Sequence, residues 1–177
     1  FWPGLPFRMV DDTRSNAQLW RTGAERVEFA GEHSRYRRLR GRVGVTRRVT
    51  LDRRKGVLMI HDTLRGSGTH ELQWNFHLAP EIVPEPLQSG EKFSSDLLAV
   101  SEFAPDAAGF LFQAGWRIGP MRMIAAAPDN VRLKTQRESG WVAPRYGQRE
   151  QAAIVQLGCE AKLPVSVAFV FVPAENV

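Results

Sequence analysis

Hydrophobic residues recur at every second position along most of this chain. Val27 and Phe29 alternate with polar neighbours, as do Val45, Val49 and Leu51, and the period continues through 69–78, 109–114, 121–126, 151–158 and 165–172. A repeat of two puts successive side chains on opposite faces of a strand, so each segment predicts a strand with one buried face. Turn-forming groups separate them: Arg54-Lys55-Gly56, Gly66-Ser67-Gly68, Ala79-Pro80, Pro84-Glu85-Pro86, Gly119-Pro120 and Pro128-Asp129-Asn130. Short strands with this punctuation predict an all-β fold, an antiparallel β-sandwich with few or no helices. No apolar stripe of helical period runs beyond two turns.

The segment 45–78 can be registered by matching faces, because a one-residue slip would turn its apolar set outward. With a loop from Arg53 to Gly56, Leu51 lies opposite Leu58, Val49 opposite Ile60 and Val45 opposite Leu64. The remaining pair on that face is Arg47 with Asp62. A third strand of the same meander places His70, Leu72, Trp74, Phe76 and Leu78 on this face, with His70 beside Asp62. An unpaired buried carboxylate is costly, whereas a paired one is tolerated. Arg47, Asp62 and His70 are therefore expected to form a structural polar cluster. The alternative is a metal held by Asp62 and His70, but two ligands make a poor site and the guanidinium would repel a cation. No metal ligand set is assigned.

The other face of that third strand reads Glu71, Gln73, Asn75 and His77, beside Met59, His61 and Thr63 and then Arg48 and Thr50. Amide, imidazole and guanidinium groups suit the hydroxyls and carboxylates of a sugar chain. Arg48, His61, Gln73, Asn75 and His77 are the candidate substrate-binding residues. A polar outer sheet surface, or a face docked on another domain, reads equally well from the pattern.

The 177 residues suffice for a single domain spanning 1–177, and 43% hydrophobic with 24% charged residues is ordinary for a globular chain. No apolar run approaches the ~20 residues of a membrane span. The single cysteine, Cys159, excludes an internal disulfide and sits in an apolar run as a small core residue. Formal net charge is +5, and 20 of the 24 basic residues are arginine, nine of them between Arg35 and Arg54. Arginine's planar fork suits carboxylate, sulfate and phosphate. The same residues could instead form a solvated face in a chain biased toward arginine. No base-stacking module or reading helix is visible, so no specific nucleic-acid partner is expected. The chain opens at Phe1 without a charged leader, which leads us to expect a domain excised from a longer protein.

Several short strings, in order, resemble the C-terminal β-sheet domain of heparinase II/III-like polysaccharide lyases. His33-Ser34-Arg35-Tyr36-Arg37-Arg38-Leu39 is similar to H-x-G-Y-x-R-L, and Val45-Thr46-Arg47-Arg48-Val49 to V-x-H-R-R-x-V. Ile60-His61-Asp62 and Gly66-Ser67-Gly68-Thr69-His70 follow, then Asn75-Phe76-His77-Leu78-Ala79-Pro80, which matches F-H-[FL]-x-P. Trp141-Val142-Ala143-Pro144-Arg145-Tyr146-Gly147 resembles W-x-S-P-x-Y-G, and Leu163-Pro164 with the last apolar strand closes the order. Arg35 stands where the pattern has glycine, and Thr46 where it has histidine.

The resemblance implies a supersandwich-like β-domain joined to an N-terminal helical toroid that this chain lacks. It implies β-elimination at a uronic acid in an acidic polysaccharide, a glycosaminoglycan or alginate, by a protein of the periplasm or cell envelope. In such a family the toroid carries a catalytic tyrosine and histidine, and H-x-H-x-D and H-N-T segments serve catalysis or metal. His33, His61, His70 and His77 fit neither motif. The resemblance therefore assigns no catalytic residue and no cofactor to this chain, and leaves any metal to the part missing here. The expected role is a substrate wall and packing partner for the helical domain. Two other readings stand beside it: a stand-alone, non-catalytic carbohydrate-binding β-sandwich, and a basic scaffold whose hold on polyanions collapses with salt.

Overall fold

The structure, a computed structural model, describes residues 14–87, 107 and 109–174, so the expected limits 1–177 extend beyond it. In chain order the strands are β1 (Ser15–Thr22), β2 (Arg26–His33), β3 (Gly44–Asp52), β4 (Val57–Arg65), β5 (Thr69–His77), β6 (Glu85–Pro86), β7 (Leu111–Ile118), β8 (Met121–Ala127), β9 (Lys134–Val142), β10 (Glu150–Lys162) and β11 (Val165–Pro173). Among the described residues the helical content is the 3₁₀ turn Arg35–Arg38 and the 3₁₀ residue Ala107. All strand pairs are antiparallel and form two sheets. One has eight strands in the order β1-β2-β3-β4-β11-β8-β7-β6, and the other three in the order β5-β10-β9. The all-β sandwich expected from the periodicity is the observed architecture.

The principal core lies between the sheets. Leu64, Trp116, Met123, Val167 and Phe169 of the large sheet meet Leu72, Trp74, Val155 and Leu157 of the small one. A second cluster covers the opposite face of the large sheet, where Met59, Ile124, Ala168 and Val170 pack under Phe110 and Phe112. β8 and β11 are thus buried on both sides, and their sequences, Met-Arg-Met-Ile-Ala-Ala-Ala and Val-Ser-Val-Ala-Phe-Val-Phe-Val-Pro, are nearly continuous apolar runs. The alternation expected over 121–126 and 165–172 gives way there to burial on both faces.

The β3–β4 hairpin has the expected register: Arg47 opposite Asp62, Val49 opposite Ile60, Leu51 opposite Leu58, Val45 opposite Leu64. The three-stranded meander is corrected. β4's free edge pairs with β11, and β5 crosses to the other sheet beside β10. The physical reason lies in burial. β11 is apolar on both sides and suits the sheet centre, whereas β5 alternates strictly between exposed and buried positions and suits a sheet with one wet face. Gly66 and Gly68, at φ 141° and 87°, form the turn that carries the chain across.

Candidate functional site

Asp62 and the even-numbered positions of β5, Leu72, Trp74 and Phe76 among them, face a common interior, and the crossing of β5 leaves that interior shared but changes which residues meet. Arg47 donates from Nε to Asp62 Oδ1 at 2.7 Å and from Nη2 to Oδ2 at 2.6 Å. The Asp62 side chain is 2% exposed and that of Arg47 47%. Facing them from β5, Trp74 donates its indole N–H to Asp62 Oδ2 at 2.8 Å. The carboxylate raises the Arg47 pKa above its ordinary value, chiefly through the hydrogen bonds between them and against the opposing effect of burial.

His70 is the corrected member of this cluster. Its Nε2 donates to the Ser67 carbonyl at 3.0 Å, which pins the start of β5 to the glycine turn. Trp74 takes the place expected for His70, because a residue on a facing sheet approaches Asp62 from above rather than from the next strand. The reading of Asp62 and His70 as a metal pair fails on the same geometry: both carboxylate oxygens are held by Arg47 and Trp74. Among the described residues no three His, Cys, Asp or Glu side chains gather within reach of one ion.

The five candidate substrate-binding residues do not share a surface. Arg48 and His61 are opposite one another on β3 and β4 and lie on the outer face of the large sheet. His61 is 5% exposed there, with Phe110 edge-on at 6.0 Å between ring centroids. Gln73, Asn75 and His77 lie on the outer face of the small sheet, across the sandwich. Two of them are satisfied locally. Asn75 Oδ1 accepts from Gln73 and from Gln156, each at 3.0 Å, and Gln136 continues the row to Gln156 Oε1 at 2.8 Å. The amides form a ladder across β5, β10 and β9. This corrects the expectation of one face of polar groups awaiting a ligand, and the cause is again the crossing of β5.

What the fold does bring together lies at one end of β2, β3 and β4. A cleft of about 360 Å³ is lined by His33, Tyr36, Arg47, Asp62, His70 and Trp74, with Glu71 and Gln73 at its wall. Arg47 enters it with Nε and Nη2 committed to Asp62, while Nη1 makes no hydrogen bond among the described residues. The result is a cation held at a fixed angle, with one edge free for an oxygen ligand. Tyr36, on the 3₁₀ turn, stacks edge-on against His33 at 5.2 Å and is partly exposed.

A second cleft of about 160 Å³ shares His33 and Val45 with the first and is lined by Glu32, Arg37, Arg42, Thr46 and Arg65. The connection from His33 to Gly44 builds its wall. Gly41 sits at φ 87°, where an added Cβ would lie 2.0 Å from the Ser67 carbonyl oxygen, and Ser67 N–H donates to the Gly41 carbonyl at 3.1 Å. Neither cleft is expected from the alternation of side chains; the usable signals are the arginine run from Arg35 to Arg42 and the β3–β4 register, which sets Arg65 opposite Gly44 at the end of that run.

Elsewhere, the Trp141–Gly147 string leaves two aromatic rings in solvent. Trp141 is 55% exposed with the Arg149 guanidinium 4.5 Å from its ring centre, and Tyr146 is fully exposed. No helix among the described residues is long and apolar enough to cross a membrane.

Solved structures that share the fold include heparinase III, the BT4657 gene product, at TM-score 0.58 and 16% identity, and the heparan sulfate lyase HepC from Pedobacter heparinus at TM-score 0.58 and 12% identity. The matches cover 92% and 93% of this chain but 22% of each of those chains, so the chain spans about a fifth of their length. A search of curated proteins gives no significant match. The sequence model of the family described as "Heparinase II/III-like, C-terminal" matches residues 4–169. The strings around Tyr36, Arg47 and Asp62 thus lie within a pattern that spans nearly the whole chain, which belongs to the heparinase II/III-like family as its C-terminal domain.

Proposed function

We propose that this domain forms one wall of the substrate cleft in a polysaccharide lyase that cleaves uronate-containing polymers by β-elimination. The observation that carries the reading is Arg47, fixed by Asp62 through Nε and Nη2, half-exposed, and lining the larger cleft. In β-elimination a base removes the proton α to the uronate carboxyl group, negative charge develops on that carboxyl group as the proton leaves, and the electron pair then forms the C=C bond and passes the charge to the oxygen of the leaving sugar as the C–O bond breaks. A cation already oriented toward it stabilises that charge without reorganising at the moment of reaction. The proton-transfer residues belong, on this reading, to a helical domain of the same protein. The substrate is an acidic polysaccharide, a glycosaminoglycan or alginate, and the parent protein works in the periplasm or cell envelope. These last assignments rest on family likeness.

Two measurements test the proposal. The 177-residue chain, incubated with heparan sulfate or alginate, should yield no unsaturated product absorbance, and robust turnover would overturn the division of labour. In the full-length protein, Arg47→Ala should lower kcat by roughly 10²–10³-fold, the usual cost of losing one donor to a developing anion. Arg47→Lys should recover part of it, and both variants are to be assayed well below their melting temperatures. A normal kcat for Arg47→Ala would remove Arg47 from the substrate wall.

The second reading, a carbohydrate-binding sandwich without chemistry, is favoured by the exposed rings of Trp141 and Tyr146. It predicts oligosaccharide binding by the isolated chain that is lost with those rings and is indifferent to Arg47.

A further inference from the structure

The smaller cleft has a composition that the wall function does not use. Three guanidinium-bearing residues come to it from three separate places: Arg37 from the 3₁₀ turn, Arg42 from the following loop and Arg65 from the last position of β4. Four arginines elsewhere pair with acids, Arg21 with Glu28, Arg54 with Glu25, Arg132 with Asp129 and Arg47 with Asp62, while others among the described residues stand singly on the surface. Arg37, Arg42 and Arg65 have no ion pair or side-chain hydrogen bond among the described residues. Glu32 is the one acid in the lining, with no ion pair among the described residues, which leaves three cations against one anion.

Backbone conformation adds a second observation. Arg42 has φ 51°, the one described non-glycine residue in the left-handed region. That conformation costs roughly 1–2 kcal/mol for a residue with a Cβ. The neighbouring Gly41 carries its own positive φ without such cost, so the turn could have been completed with a second glycine. Instead it holds an arginine at the lip of the cleft.

We infer that Arg37, Arg42 and Arg65 form a binding site for a tetrahedral oxyanion, a sulfate ester of the polysaccharide chain. Three arginines lining one cleft suit a group with three equivalent oxygens, whereas a planar carboxylate is matched by the single fixed fork of Arg47. The volume, about 160 Å³, is of the order of cavities that take one small ligand, room for an anionic substituent. His33 and Val45 separate the two clefts, so one glycan could offer a carboxylate to Arg47 and a sulfate to the arginine triad. The polymer part of this inference rests on the substrate-wall reading; the anion site does not.

The test is calorimetric binding to the 177-residue chain of three probes: inorganic sulfate, a sulfated heparan oligosaccharide and the same oligosaccharide after desulfation. The sulfated form should bind about tenfold more tightly than the desulfated one, a preference of the size expected for charge-assisted pairs. Inorganic sulfate should compete for that preference. Arg37→Gln combined with Arg65→Gln should bring the two oligosaccharides within about twofold, and Arg42→Gly, which relieves the backbone, should act in the same direction at an unchanged or higher melting temperature. Arg53→Gln, in the loop at the other end of β3 and β4, is the charge control and should keep the full preference. Equal binding of both oligosaccharides to the unaltered chain, or an undiminished preference in the double variant, overturns the site. Binding of inorganic sulfate through the triad with no oligosaccharide binding would retain the anion site and reject the substrate wall.

Discussion

Trp74 and Asp62 join the two sheets through one hydrogen bond, from the indole N–H on β5 to Oδ2 on β4, 2.8 Å long and buried. The carboxylate is thereby held from both sides, by Arg47 within its own sheet and by Trp74 from the facing one. Asp62 is tolerated on an apolar face because all of its acceptor capacity toward the core is used. The same arrangement turns it into the mount for a half-exposed cation.

Breaking this mount should be asymmetric. Arg47→Ala leaves a buried carboxylate with the indole alone and is expected to cost roughly 3–5 kcal/mol. Asp62→Ala releases a guanidinium that already reaches solvent, and should cost less. Trp74→Phe keeps most of the apolar volume and removes one hydrogen bond to a charged group, about 1.5–3 kcal/mol. Urea denaturation of the three variants gives the order, and an Asp62→Ala loss exceeding that of Arg47→Ala would contradict it.

Gly41 should tolerate no side chain. Its positive φ and the 2.0 Å approach of a Cβ to the Ser67 carbonyl oxygen mean that Gly41→Ala must separate the 39–44 loop from the 66–68 turn. Backbone strain alone contributes roughly 1–3 kcal/mol. Hydrogen exchange should show the Ser67 amide, which donates to the Gly41 carbonyl, losing protection first. Protection equal to that of the unaltered chain would show that the loop holds by other contacts.

Acid should act through Asp52. Its Oδ1 accepts the backbone N–H groups of Lys55 and Arg54, each at 2.9 Å, and these bonds hold its carboxyl below the usual carboxylate range, the Lys55 bond first. A pKa lowered in the folded state means stabilisation that is present above the unfolded value, near 3.9, and is lost as pH falls through the lower folded value. Asp52→Asn should flatten that acid limb of the stability curve and loosen the β3–β4 loop. An acid limb identical in the variant would assign it to other carboxylates.

Cys159 faces the core between the sheets, and burial pushes its thiol pKa up. In the folded chain it should resist alkylation at pH values where a free thiol near 8.5 reacts readily, and become reactive on unfolding. Because the thiolate is disfavoured only in the fold, stability should decline as pH rises past the unfolded value. Rapid labelling of the native chain would show an opening between the sheets that this packing does not predict.

Local sequence determined a good deal. The period of two and its turn residues specify the strands, and face-matching specifies the β3–β4 register down to the pairing of Arg47 with Asp62, because one slip would expose every apolar residue of the hairpin. Order and spacing of short strings carried the family. Tertiary structure decided which strands share a sheet. Sequence neighbours β4 and β5 look like one hairpin, yet β11 competes for the same edge and wins through apolar side chains on both faces, a comparison between segments about a hundred residues apart. That choice replaced His70 by Trp74 at Asp62 and split Arg48 and His61 from Gln73, Asn75 and His77. What only the fold supplies beside Arg65, set opposite Gly44 by the β3–β4 register, is the 3₁₀ turn and loop that bring Arg37 and Arg42 to the same cleft.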